Sequence, residues 1–120
     1  MWLVTTFGFY SVVEKAWDRE PGTLTVRARA REDLEALRSR YLPDLGAIAE
    51  DESADYRFRA QAPREKVVEA FSRAVRDIDY DNFKEAISRR QGWARERIYH
   101  DAWQAFLAIQ QPARRIGRGV

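Results

Sequence analysis

TLTVRARARED, residues 23–33, alternates apolar and basic side chains with a period of two. Such alternation is typical of a β-strand that is buried on one face and exposed on the other. The stretch therefore predicts a strand at about residues 23–31 that carries a row of guanidinium groups on one face. Its apolar positions are Leu24, Val26, Ala28 and Ala30, and its basic positions are Arg27, Arg29 and Arg31.

A second stretch, DYRFRAQAP at residues 55–63, repeats this pattern. Tyr56 and Phe58 fall on one face, and Arg57 and Arg59 fall on the other. This predicts a second strand whose apolar side chains face the same helices as those of the first. The two stretches together predict one surface lined with arginines.

Turn and helix signals around these strands indicate the α+β class. The predicted order is strand, strand, helix, strand, strand, helix, followed by two further helices. This order matches a ferredoxin-like fold in permuted form, ββαββα, with an antiparallel four-stranded sheet in the order 1-2-4-3 and additional C-terminal helices. The predicted strands span about residues 2–13, 23–31, 45–51 and 55–61, and the predicted helices span about residues 31–42, 63–78, 82–90 and 93–110.

The chain has the length and composition of one globular domain. With 120 residues, of which 45% are hydrophobic and 33% charged, it is long enough to bury one core. We expect a single α+β domain over residues 1–110, with the sheet and two helices in residues 1–79 and the C-terminal helices in residues 80–110. Residues 111–120 are expected to form a basic flexible tail, because Pro112 stops the last helix.

Cysteine content and charge narrow the functional classes. The absence of cysteine excludes a disulfide scaffold, a thiolate zinc site and cysteine catalysis, and it fits the reducing cytoplasm. The apolar opening stretch is too short to span a bilayer, so no membrane partner is expected. A net charge of +2 is weak evidence for a polyanionic partner. We expect a cytoplasmic protein that holds no cofactor and no metal.

Four arginines, Arg27, Arg29, Arg57 and Arg59, are expected to lie side by side on neighbouring strands. Like charges opposite one another destabilise a sheet, so this cluster needs counter-charge. Three sources are open: carboxylates of the C-terminal helices, a partner protein or second copy of the chain, and the phosphates of nucleic acid. We expect the chain itself or a second copy to supply the counter-charge, because the last helix carries an apolar stripe that must be buried. The stripe consists of Ile98, Tyr99, Ala102, Trp103, Phe106 and Ile109.

A second candidate cluster, Tyr80, Asp81, Asn82, Lys84 and His100, is the basis of an enzyme hypothesis. His100 could act as a general base, but no partnered nucleophile, metal-ligand spacing or phosphate loop accompanies it. Turn and capping chemistry explains these residues better, since Asn82 has the form of the first residue of a capping box. A water-accessible pocket that brings His100 within hydrogen-bonding reach of Asp81 or Lys84 would favour the enzyme.

Five stretches, MWLVTTFGFYSVV, LTVRARAREDLEALR, DYRFRA, DYDNFK and RIYHDAW, together resemble a widespread bacterial family of small proteins with no assigned function. The resemblance implies a bacterial cytosolic protein that is complete in itself, and it transfers no catalytic residues. We expect a non-catalytic binding or assembly module that pairs with itself or another protein through the sheet face or the C-terminal helices. Nucleic-acid binding through the arginines is the alternative, and an enzyme with a site near Asp81 and His100 is the second alternative.

Overall fold

The structure, a computed structural model, describes residues 1–110. The predicted basic tail, residues 111–120, lies outside the described residues. The chain divides into two compact units, an N-terminal unit, Met1–Asp79, and a C-terminal unit that begins at Tyr80. The strands are β1 (Trp2–Val4), β2 (Phe9–Val13), β3 (Thr23–Ala28), β4 (Ala49–Glu50) and β5 (Phe58–Pro63); the helices are α1 (Arg31–Arg40), α2 (Arg64–Arg76), α3 (Phe83–Gln91) and α4 (Trp93–Phe106); and short 3₁₀ turns span Ala16–Asp18 and Leu107–Gln110.

The strands form one antiparallel sheet with the order β1-β2-β3-β5-β4. The α+β class is therefore confirmed, but the described residues form five strands where four were expected. The predicted first strand, residues 2–13, is a hairpin of two strands. The predicted third strand, residues 45–51, is reduced to the two residues of β4.

The hairpin between β1 and β2 is built on the side chain of Thr5. Its Oγ1 donates to the Gly8 carbonyl oxygen at 2.7 Å and accepts from the N–H groups of Phe7 at 3.2 Å and Gly8 at 3.0 Å. Threonine hydroxyls stabilise turns by this kind of local bond. The turn interrupts the alternation of the strand, so Phe7 lies in the core while Phe9 lies on the opposite face of the sheet.

Helices α1 and α2 cover one face of the sheet. Val26 and Ala28 on β3 face Leu34 and Leu37 on α1, and all four side chains are fully buried. Leu34 and Leu37 are three residues apart, which places them on the same side of the helix. Burial of one leucine or valine side chain contributes roughly 1.5–3 kcal/mol, so this layer is a main source of stability.

The Tyr10 and Asp33 side chains lock the hairpin to the start of α1. The Tyr10 hydroxyl donates to the Asp33 carbonyl oxygen at 2.6 Å, and the Asp33 carboxylate accepts from the Phe9 N–H at 2.9 Å. The backbone of Gly8 runs directly against both residues. A Cβ atom at position 8 would lie 2.7 Å from Tyr10 Cζ and 2.9 Å from Asp33 Cβ. Glycine is therefore required at this position for close approach.

Helices α3 and α4 make up the C-terminal unit. Asn82 caps α3, since its side-chain oxygen accepts from the Glu85 N–H at 3.0 Å. Gly92, with φ of 91°, separates the two helices as the sequence predicts. Tyr99 on α4 is buried and stacks on Phe83 of α3, with ring centroids 6.2 Å apart.

Most of the apolar stripe predicted for the last helix is exposed in the single chain, so the described residues do not bury it, and its burial against a second copy stays a prediction. Tyr99 is buried, but four of the other side chains are exposed by half or more. The exposed positions are Ile98, Trp103, Phe106 and Ile109.

We expect Gly8→Ala to lower the free energy of unfolding by roughly 1–3 kcal/mol, the usual cost of overpacking a filled site. The added methyl group must displace the Tyr10 ring and weaken its bond to Asp33. Urea denaturation followed by fluorescence measures the change. Tyr10→Phe is the matched background, because it removes the hydroxyl closest to the new methyl group, and there the alanine should cost less. Equal stability with and without the Gly8→Ala substitution in both backgrounds would contradict the packing argument.

Candidate functional site

A single row of side chains crosses all strands of the sheet on the face opposite to α1 and α2. Directly opposed residues of antiparallel strands project from the same face of a sheet. The strand registers therefore define a line with two arginines at its centre, one on β3 and one on β5. The row runs Trp2, Ser11, Arg27, Arg59 and Ala49.

Arg27 is held by a ring and a hydroxyl group rather than by a carboxylate. Its guanidinium carbon lies 4.5 Å from the centroid of the Tyr56 ring, and its Nη2 donates to Ser11 Oγ at 2.6 Å. Its Nε atom is buried and has no hydrogen-bond acceptor in the part of the chain that the structure describes. A buried donor without a partner costs about 1–3 kcal/mol. The folded protein thus holds this guanidinium in an unfavourable setting.

Arg59 lies directly opposite Arg27 and shares its unfavourable setting. Its Nη2 donates to the Tyr56 carbonyl oxygen at 3.2 Å, and its Nε is likewise buried without an acceptor among residues 1–110. Hydrogen bonds from Ser53 hold the pKa of Asp51 below its usual range, and the charge of Arg59 lowers that pKa further. Asp51 is exposed, so its carboxylate influences Arg59 through solvent.

The other two predicted arginines have different partners. Arg29 donates from Nε to the Asp55 carbonyl oxygen at 3.1 Å, and its guanidinium carbon lies 4.5 Å from the same tyrosine ring. Arg57 forms ion pairs with Glu50 and Glu52, with N–O distances of 2.6 and 2.8 Å. Carboxylates of the chain therefore neutralise Arg57. The other three predicted arginines form no ion pair with a carboxylate of the described residues, so the expected neutralisation by the chain itself is found for Arg57 alone, and neutralisation by a second copy stays a prediction.

Two aromatic side chains, absent from the predicted site residues, also lie on this face. Tyr56 was expected among the helix-facing side chains, but its ring lies 6.4 Å from that of Phe9 and against the guanidinium groups. The alternation of β5 begins at Phe58, because the preceding residues form turns. The acidic run EDESAD just before Tyr56 is a loop signal that limits the strand. We call the surface formed by Phe9, Arg27, Arg29, Tyr56 and Arg59 the arginine face.

A buried aspartate closes one side of this surface. Asp18 accepts from Thr23 Oγ1 at 2.5 Å, Thr25 Oγ1 at 2.8 Å, the Lys15 N–H at 2.8 Å and Gln61 Nε2 at 3.3 Å. Burial raises the pKa of Asp18, but these four hydrogen bonds outweigh it, so the pKa lies below its usual range. Thr25 and Gln61 are cross-strand partners on the same side as the arginine row. The loop between β2 and β3 therefore folds back over this end of the sheet.

The second predicted cluster is partly assembled. Lys84 Nζ lies 3.2 Å from His100 Nδ1 and 5.0 Å from the centre of the Trp103 ring, on which the His100 ring also stacks. The ammonium group can only donate, so Nδ1 is the acceptor in this contact. Tyr80 packs instead against the Phe83 ring, with centroids 6.0 Å apart. Lysine and histidine are thus brought together, whereas the tyrosine serves packing within the unit.

An open groove of about 520 Å³ lies beside His100. The criterion stated for the enzyme hypothesis, an open pocket with His100 within hydrogen-bonding reach of Asp81 or Lys84, is met through Lys84. Asp81 is not among the described residues that line the groove. Among residues 1–110, none that lines the groove carries a hydroxyl or thiol group that could serve as a nucleophile. The lining consists of Lys84, Glu96, Arg97, His100, Asp101 and Gln104.

Together these features define an α+β protein whose antiparallel sheet presents arginines and aromatic rings on one face. No known protein family model, curated protein or solved structure matches the chain. The resemblance to a bacterial family stays a prediction. Among the described residues, no helix has the length and apolar character needed to cross a membrane, and no group of three or more histidine, cysteine, aspartate or glutamate side chains could hold a metal ion.

We expect Asp18→Asn to lower the free energy of unfolding at pH 7 by roughly 1–3 kcal/mol, because an NH₂ group then faces buried donors. The pKa of Asp18 is lower in the folded than in the unfolded protein. The stabilisation by the carboxylate is therefore complete above the unfolded-state pKa and is lost as the pH falls through the folded-state pKa.

The difference in stability between wild type and Asp18→Asn should accordingly shrink below pH 3.8, the ordinary pKa of this side chain. Urea unfolding of both proteins across the acidic range up to neutral pH measures it. A difference that stays constant over that range would show that the charge of Asp18 does not contribute.

Proposed function

We propose that the protein is a non-catalytic binding module and that the arginine face binds an anionic partner. The observation that carries the proposal is the pair Arg27 and Arg59, which are opposed on central strands and each have a buried Nε that no described residue satisfies. An anion above the row would supply the missing negative charge. A small rotation of either guanidinium group would bring its Nε–H toward that anion.

The geometry of the arginine face also favours binding through pre-organisation. Arg27 and Arg29 both lie against the Tyr56 ring, which restricts their side chains before any partner arrives. A side chain that is already ordered loses less conformational entropy on binding. The planar guanidinium group matches the oxygen pairs of phosphate and carboxylate groups. The surface is thus suited to a partner that carries either group.

The electrostatic conflict between the two opposed arginines is the second argument. Like charges directly opposite each other on a sheet are destabilising. The cost is comparable to the stabilisation by a favourable cross-strand pair, which is roughly 0.2–1 kcal/mol. Departures from local consistency of this kind are expected at functional sites. A partner that neutralises the pair would relieve the conflict, so binding and folding stability are coupled at this surface.

The sheet topology, the cellular location and the partner of the protein are further parts of the proposal. We propose a permuted ferredoxin-like sheet, supported by the order β2-β3-β5-β4 and by α1 and α2 on one face. We also propose a bacterial, cytoplasmic protein, on the strength of the sequence resemblance and the absence of cysteine. A homodimer or a complex with another protein belongs to the same proposal, since either could bring carboxylates to the arginine face.

An enzyme with a site near His100 is the second candidate function. The contact between Lys84 Nζ and His100 Nδ1 at 3.2 Å favours it. A general base contributes about 10²–10⁴-fold to a reaction rate, so His100→Ala would reduce turnover by that factor. On the binding proposal, the same substitution leaves anion binding at the arginine face unchanged.

We expect inorganic tripolyphosphate, at constant ionic strength, to raise the melting temperature of the wild-type protein. A ligand that binds the folded state stabilises it by mass action. The double variant Arg27→Gln/Arg59→Gln should lose this response. The matched control is Lys66→Gln/Arg76→Gln, which removes two exposed positive charges from α2, on the other side of the sheet. An equal rise in all three proteins would place the anion elsewhere and contradict the proposal.

Arg59→Gln alone should leave the protein at least as stable as wild type, with a gain of up to about 1 kcal/mol, because one of two opposed like charges is removed. The side chain gives up a single hydrogen bond, to the Tyr56 carbonyl oxygen. Equilibrium urea unfolding measures this difference. A loss of stability well above that range would assign Arg59 a structural role instead.

A further inference from the structure

Aromatic rings continue the arginine row toward the β1 edge of the sheet. Trp2 stands at the end of the row, is 58% exposed and meets Phe9 edge to face, with ring centroids 5.6 Å apart. Phe9 in turn lies 6.4 Å from Tyr56, on which Arg27 stacks. Large aromatic side chains are usually buried to a high degree, since their apolar surface gains most from burial. The exposed ring of Trp2 therefore places a large stacking surface beside the guanidinium groups.

The spacing of the rings and charges suits a short nucleotide chain. Neighbouring strands lie about 4.8 Å apart, so along the row Trp2 is about 10 Å from Arg27 and about 14 Å from Arg59. Sheet surfaces that bind RNA through aromatic side chains stack about two or three bases. On the arginine face Tyr56 is buried and contacted by Arg27 and Arg29, so Trp2 is the ring of this surface that offers a base an exposed stacking partner.

We propose that the anionic partner is single-stranded nucleic acid, with a base stacked on Trp2 and phosphate groups held by Arg27 and Arg59. This inference rests on the proposed function and names its ligand class. Stacking on aromatic rings combined with cationic contacts to the backbone is the usual chemistry of single-strand binding. A duplex keeps the faces of its bases stacked on one another, so the ring would have no base to contact. An acidic protein segment would neutralise the arginines but offers no planar group that matches Trp2.

The acidic loop between β4 and β5 limits the footprint on the opposite side. Glu52 pairs there with Arg57, and Asp51 and Asp55 are exposed. These carboxylates repel a phosphate chain approaching over β4. The bound strand should therefore run from the arginines at the centre of the sheet toward the aromatic end at β1, which gives it one path across the surface.

Fluorescence anisotropy of labelled oligouridine and oligothymidine of about ten nucleotides tests the proposal. The full chain is used with a free N-terminus, because the Met1 amino group donates to the Val12 carbonyl oxygen at 2.9 Å. We expect binding of single strands whose affinity falls with salt by about 0.7 log units per log unit of salt for each phosphate contacted. Arg27→Gln/Arg59→Gln should weaken binding and flatten this dependence by about one to two phosphate contacts. The two oligonucleotides distinguish RNA from DNA as the source of the ligand.

Trp2→Leu tests the stacking step, and Trp93→Leu is the matched control, since Trp93 is an exposed tryptophan (75%) of the C-terminal unit. We expect the first substitution to weaken binding by about 5- to 100-fold and the second to leave it unchanged. The melting temperature of each variant shows whether it is folded. Phe9→Leu provides a second test of the same aromatic surface if Trp2→Leu does not fold.

Four results would overturn the inference. The first is equal affinity for a duplex of the same length, and the second is equal affinity for a labelled oligoglutamate peptide. The third is stabilisation by tripolyphosphate without oligonucleotide binding, which refutes the nucleic-acid inference and leaves the proposed function standing. The fourth is a dimeric mass in light scattering that Trp2→Leu reduces to that of a monomer, which would assign this surface to self-association.

Discussion

The central strand of the sheet, β3, can pair in one register only. Its helix-facing side carries Val26 and Ala28, which are fully buried, and its other side carries Arg27. A slip of one residue would turn Arg27 toward the helices and Val26 toward solvent. Burial of an unpaired charge costs several kcal/mol, more than any single apolar contact of this layer provides. The arginine that marks the candidate site therefore also fixes the pairing of β2 and β5 with β3.

Once this register is fixed, the position of Arg59 opposite Arg27 follows, and the two neighbouring loops determine how the pair is surrounded. On one side, four donors hold Asp18 in place, so its carboxylate is already satisfied and is not available to the arginines. On the other side, the Tyr56 ring contacts the guanidinium group of Arg27 but brings no formal charge. Both loops thus order the surface, and within the described residues neither loop forms an ion pair with Arg27 or Arg59, so the opposed pair can still bind an outside anion.

The sequence is sufficient for the parts of this arrangement that depend on residues within one strand. Alternation places β3 and β5, and the strand order expected from the sequence of elements predicts that the arginines of these two strands, Arg27 and Arg59 among them, are neighbours. Alternation fails at residues 2–13, where apolar side chains occupy both faces and the deciding signal is a single hydroxyl, that of Thr5, which closes the turn. The alternation also assigns Tyr56 to the wrong face of the sheet, because β5 begins only at Phe58 and a period of two does not show where a strand begins.

The ion-pair partners of charged side chains also could not be predicted from the sequence, because the spacing of residues along the chain does not give the distance between their side chains in the fold. Glu50 and Glu52 follow closely on each other and both reach Arg57, so they satisfy the arginine nearest to their own loop. The exposure of the α4 stripe could not be predicted for a similar reason. An amphipathic pattern shows which side of a helix is apolar, but it does not show which surface, if any, covers that side. Burial and ion pairing depend on the tertiary structure, whereas the apolar face of a strand or helix can be predicted from the local sequence pattern.

The two candidate sites differ in what a ligand could gain there. His100 already accepts from Lys84, and the Lys84 ammonium group also lies over the Trp103 ring, so the two groups that would carry the chemistry of that groove have partners in the free protein. At the arginine face, two guanidinium groups oppose each other and two buried donors lack acceptors within the described chain. A ligand stabilises a site by the difference between the interactions it makes and those it replaces. At the arginine face an anion would relieve the repulsion between two guanidinium groups, whereas beside His100 it would have to displace the contact between Lys84 and His100. The gain in free energy on binding is therefore larger at the arginine face.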